Sequence, residues 1–159
     1  MTPWQYLIPS ALIALIFRRL FNGFVLCATA NLIGTILHEL LHAVAAVVTG
    51  ARVHNFSVVP RRESGRFVLG QCSLSGVRWW NAFVIGLAPL LIYPFVYGIA
   101  AWRTSVTHSV ELLDLLIWIA LAPCLLSGLP STEDLKIAAR SWPVFLGILI
   151  MAYWVCKPM

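Results

Sequence analysis

The sequence predicts an all-α, multi-pass membrane fold of about four to five transmembrane helices, with a small β-hairpin after the helix that carries "HELLH". Three observations predict it. The chain is 60% hydrophobic with a mean hydropathy of +0.88. It holds only 11 basic and 6 acidic residues in 159, where a soluble domain carries about a quarter charged residues. Long stretches also lack charge. Between Arg19 and Arg52 the only charged residue is Glu39, and none occurs from Trp79 to Trp102, Leu115 to Thr132 or Ser141 to Cys156. Crossing a bilayer takes about 20 apolar residues, which the first three runs reach or approach. Tryptophans bracket the later runs, Trp79, Trp80 and Trp102 around one and Trp142 and Trp154 around another, as in an interfacial belt.

The elements follow in order. Residues 4–17 are apolar, but Pro3 and Pro9 leave them open between a span and an interfacial segment. Without a basic start or a small-residue cleavage site, this segment is expected to be retained. A helix is expected over about 24–50, then a polar loop over 51–78, then helices near 80–101, 111–129 and 137–155. All belong to one integral-membrane domain, 1–159, with its core at 24–140. In the loop, β-branched and aromatic runs flank the turn-like "PRRESG", which predicts a hairpin over 53–74.

Charge sets the expected orientation. Arg52, Arg61, Arg62, Arg66, Arg78, Lys136 and Arg140 fall on one side when crossings are counted, and Arg18 and Arg19 on the other. The larger group marks the cytoplasmic side of a cell membrane. Basic residues spread over membrane loops set topology, so the bilayer is the expected partner and nucleic acid is not. Cys27, Cys72, Cys124 and Cys156 show no C-x-x-C spacing and read as small hydrophobes. The oligomeric state stays open.

His38, Glu39 and His42 interrupt an apolar helix, where ionisable groups cost several kcal/mol and point to function. Residues i and i+4 lie about 40° apart and about 6 Å along a helix axis. His38 and His42 therefore share a face and can hold one zinc ion, with Glu39 beside them as a base. This is the logic of H-E-x-x-H hydrolases. Asn31, Thr35 and Thr49 extend the stripe.

A catalytic zinc takes three protein ligands and a water. His108, Glu111 and Asp114 start the fourth span, on the far side, and His54 lies about 18 Å further along the axis. "SGLPSTEDLK" returns to the near side and offers Asp134 or Glu133. Ser131 to Asp134 is also a capping-box pattern, so ligand and cap compete for the same residue.

At this point the chain resembles the site-2 protease family of intramembrane zinc metalloproteases, over roughly residues 30 to 140. "HELLH" lies within a span, "GARVHNFSVV" is similar to the family's β-rich segment, and "NAFVIGLAPLL" to its next span. "SGLPSTED" falls where the family carries N-x-x-P…L-D-G. The resemblance implies zinc held by His38, His42 and Asp134, with Glu39 as catalytic base. It also implies a membrane-spanning or membrane-proximal protein substrate. Ser127 replaces the family's asparagine, Asp134 comes one residue early relative to Pro130, and Leu135 replaces the glycine. Asn31, Asn81 and Ser127 are candidates for contact with substrate or its oxyanion. Two other readings remain: a membrane zinc hydrolase of soluble peptides or non-peptide substrates, and a non-enzymatic metal-binding membrane protein.

Overall fold

The computed structural model describes residues 1–20, 30–63, 66–68, 70–107 and 109–157. Helix α1 (Pro3–Tyr6) begins with Pro3 in its first turn, where the missing N–H costs nothing. Helix α2 (Ile8–Leu20) follows, and α3 (Leu32–Val48) carries the HELLH segment. The expected start of that helix, 24–29, lies outside the described residues, as does His108. Gly50 takes a φ of +75°, a conformation costly for other residues, and turns the chain out of α3.

The hairpin forms in two antiparallel ladders. Strand β1 (Arg52–Ser57) pairs with β4 (Gln71–Ser75), and β2 (Arg61–Glu63) pairs with β3 (Arg66–Val68). Next come α4 (Ala82–Leu87), a 3-10 turn over Ala88–Leu91 opened by Pro89, and α5 (Ile92–Val106). The last three helices are α6 (Leu112–Ser127), α7 (Thr132–Ala139) and α8 (Trp142–Cys156).

Helix lengths depart from the sequence expectation. Among the described residues, Ala82–Val106 is the one segment long and apolar enough to cross a membrane, at 25 residues. A second passes only if α6 and α7, bent by 52°, are taken as one span. Helices α3 and α8 are apolar but have 17 and 15 residues. The single helix expected over 137–155 divides in two. Ser131 caps α7 at its start, and Pro143, with no N–H to give, opens α8 rather than extending α7.

Small residues form the seams. Ala45, Ala46, Ala51 and Ala88 pack with Ile85 where α3, α4 and the hairpin meet. Ile92 and Val96 of α5 pack on Leu121 and Cys124 of α6. Alanine seams allow close helix approach, the habit of helices packed in lipid. The outer faces are apolar too: Leu12 and Ile16 of α2, Val44 and Val47 of α3, and Leu146 and Leu149 of α8 are exposed. Water-soluble monomers rarely expose apolar surface so continuously.

The first turn of α6 is closed by a buried ion pair. Arg103 Nε donates to Asp114 Oδ1 at 2.8 Å, and its Nη2 to Asp114 Oδ2 at 3.1 Å and Glu111 Oε2 at 3.0 Å. The Tyr6 hydroxyl adds a 2.6 Å bond to Asp114 Oδ1. This network ties α1, α5 and α6 together.

Candidate metal centre

Three elements converge on one point. Helix α3 supplies His38 and His42 from adjacent turns, and the broken end of α6 delivers Asp134 on the first turn of α7. His42 Nε2 lies 3.1 Å from Asp134 Oδ1, and His38 Nε2 lies 3.3 Å from Asp134 Oδ2. The two Nε2 atoms are 3.2 Å apart. Each imidazole is held from behind: His38 Nδ1 donates to the Ser127 carbonyl at 2.6 Å, and His42 Nδ1 to the Ile85 carbonyl at 2.8 Å. A carbonyl oxygen only accepts, so each neutral ring carries its proton on Nδ1 and turns the Nε2 lone pair inward.

Both Nε2 atoms and the Asp134 carboxylate thus face one another, an arrangement that one divalent cation can satisfy. One ligand atom from each of the three residues lies within 4.8 Å of the others, close enough for all three to hold one ion. The donor set also fits: His and Asp ligands with backbone carbonyls behind the imidazoles are a recurrent outer-sphere arrangement. Among the described residues these three form the group able to hold a metal ion.

Asp134 caps α7 and also faces both histidines, so the geometry admits both roles that the sequence left in competition. Its Oδ2 accepts the Ser131 N–H at 2.7 Å, while Ser131 Oγ accepts the Asp134 N–H at 3.2 Å. Capping spends one lone pair and aims the rest at the histidines. Glu133 points elsewhere, pairing with Lys136 at 2.7 Å on the surface.

The cluster forms the wall of a cavity of about 660 Å³, bounded above by the hairpin. Glu39, Thr35 and Ser127 line it with Arg61, Gln71 and Cys72. The hairpin backbone rests on the glutamate: a Cβ added to Gly70 would fall 2.7 Å from Glu39 Cγ and 2.9 Å from its Oε1. Burial, with the Glu39 carboxylate nearby, pushes the Cys72 thiol up to about 11. It therefore stays protonated at neutral pH and is a poor nucleophile.

The remaining expected residues separate. Ser127 lines the cavity, and its carbonyl is what holds His38. Asn31 stands at the start of α3 and does not line the cavity. Asn81 is fully buried away from it: its Oδ1 accepts the Arg78 N–H at 2.7 Å, and its Nδ2 donates to Thr49 at 3.3 Å and Gly76 at 3.4 Å. That amide joins the end of α3 to the exit of the hairpin, which leaves it no donor for an oxyanion. His54 sits on β1 against Ser75. The Ile85 and Ser127 carbonyls escaped sequence reasoning because every residue has one.

No curated protein and no solved structure matches the chain. The family model of the Peptidase M50B-like proteins matches residues 8–159, nearly the whole chain. The protein is therefore a member of this metallopeptidase family, a site-2 protease relative, as the HELLH helix and its partners implied.

Proposed function

We propose that the protein is a zinc-dependent intramembrane endopeptidase that hydrolyses peptide bonds of membrane-spanning or membrane-proximal polypeptides. The observation that carries this reading is the meeting of His38 Nε2, His42 Nε2 and Asp134 within 3.3 Å on a cavity wall that Glu39 shares. Apolar outer faces on α2, α3 and α8 support a lipid surround. In this reading α3, Ala82–Val106 and the bent α6–α7 pair form the membrane core of a single domain. Arg52 and Arg61 lie on the hairpin, Arg78 follows it, and Lys136 and Arg140 lie on and just after α7, which supports a cytoplasmic orientation of this side in the cell membrane.

The chemistry divides among the residues. When bound, the divalent ion supplies positive charge that polarises a carbonyl and acidifies a water. His38 and His42 hold it as neutral ligands, and their Nδ1–H bonds fix ring orientation. Asp134 supplies the anionic ligand. Glu39 takes a proton from the attacking water and returns it to the departing amine. The hairpin lines one side of the cavity with Arg61, Gly70, Gln71 and Cys72. Its unpaired strand edges offer an extended substrate backbone hydrogen bonds that a helical one has already spent.

Zinc analysis of protein purified without chelators tests the reading, paired with cleavage of single-pass substrates and soluble peptides. We expect about one zinc per chain, cleavage of the single-pass substrates, and loss of cleavage in Glu39→Gln with zinc retained. Native protein without zinc overturns the proposal. Cleavage of soluble peptides alone transfers it to a membrane hydrolase of a different substrate class.

A further inference from the structure

Two glycines outside the cavity stand behind the two histidines. A Cβ on Gly34 of α3 would fall 2.3 Å from the Pro123 carbonyl oxygen and 2.5 Å from Ser127 Oγ. A Cβ on Gly86 of α4 would fall 2.5 Å from the Asp134 carbonyl oxygen and 2.8 Å from the Ala138 nitrogen. Helix backbones touch at both places. Gly98 and Gly147 differ: nothing lies within 4 Å of a Cβ placed there. Glycine costs a helix more backbone entropy than alanine, and at Gly34 and Gly86 close contact explains its presence.

Each contact coincides with one histidine's carbonyl partner. Gly34 seats α3 on the last turn of α6, whose Ser127 carbonyl holds His38 at 2.6 Å. Ile85, next to Gly86, gives the carbonyl that holds His42 at 2.8 Å, while Gly86 itself rests on the backbone of Asp134. We propose that Gly34 and Gly86 are positioning residues for metal binding, each setting the helix separation at which a backbone carbonyl orients one imidazole. Gly34 serves His38. Gly86 serves His42 and Asp134 together, which makes short α4 the joint between two ligands. This rests on the metal-site reading above and adds that affinity is set by helix contacts outside the cavity.

The test measures zinc affinity of the purified full chain by competition with a chelating dye, alongside the unfolding midpoint of the zinc-free protein. Gly34→Ala and Gly86→Ala are compared with Gly98→Ala and Gly147→Ala. Losing an outer-sphere partner costs about 10–100-fold in metal affinity. We expect that loss in Gly86→Ala, a smaller one in Gly34→Ala, and native affinity in both controls. A purely packing role would move the midpoint and leave affinity alone. Native protein that binds no zinc removes the metal reading itself. Native protein that binds zinc, with a folded Gly86→Ala binding it equally well, removes only the present proposal. Should Gly86→Ala fail to fold, Gly34→Ala decides: reduced zinc affinity with an unfolding midpoint close to native supports the proposal, and native affinity overturns it.

Discussion

Asp114 and Asp134 begin alike. Each stands in the first turn of a helix and accepts a backbone N–H three residues earlier, from Glu111 and Ser131 respectively, at 2.7 Å. What meets the rest of each carboxylate is opposite. Asp114 receives the Arg103 guanidinium on both oxygens and the Tyr6 hydroxyl on one, so charge and donors match. Asp134 receives two imidazole nitrogens whose protons are committed to Ser127 and Ile85. The first cluster is complete and acts as a clamp. The second sets one carboxylate against two imidazoles, a donor set suited to a divalent cation. From Asp114 to Ser127, whose carbonyl holds His38, α6 runs about 20 Å. A buried polar cluster is therefore diagnosed by its donor count, not by its polarity.

The largest effect expected is at the histidine cluster. Glu39→Gln keeps the three ligands and removes the base, so cleavage in a substrate assay should fall by about 10²–10⁴-fold with zinc content unchanged. Asp134→Ala should abolish the rise in unfolding temperature that zinc gives the native chain, a rise that follows from ligand linkage. If zinc still raises the midpoint of that variant, the ligand set is wrong. Asp114→Ala reverses the pattern. It leaves Arg103 buried without its counter-charge, and the unfolding midpoint should drop by about 10 °C while the zinc-induced rise survives. A lost zinc response there would show that the clusters are coupled through α6. The smallest effect belongs to Ser131→Ala. Its hydroxyl cap contributes about 1 kcal/mol by denaturant unfolding, and the Ser131 backbone N–H still orients Asp134, so zinc affinity should stay within about threefold.

Local features were legible from the chain. His38, Glu39 and His42 lie within five consecutive residues, so periodicity alone arranges them, and the structure keeps the two histidines on one face. The turn "PRRESG" between β-branched runs declared the hairpin. Asp134 was half legible: its position favoured it over Glu133, its spacing from Ser131 also announces a cap, and the site-2 protease resemblance strengthened the ligand reading. The Arg103 clamp was not legible. Glu111 and Asp114 read as the charged start of a span, and nothing in their spacing says that Tyr6, over a hundred residues earlier, reaches them. Helix lengths were overestimated where hydropathy ran through a break, since Pro143 and the Ser131 cap interrupt an apolar composition without altering it.

By itself the sequence determined the apolar helices, the half-site on α3 and the hairpin above it, because each follows from spacing within a few residues. Only the tertiary structure decided which acid completes the site, which carbonyls turn the imidazoles inward and which charges are neutralised. Those depend on backbone separations between helices distant in sequence, set here by Gly34 against Pro123 and Gly86 against Asp134. A glycine in a sequence does not say what approaches it.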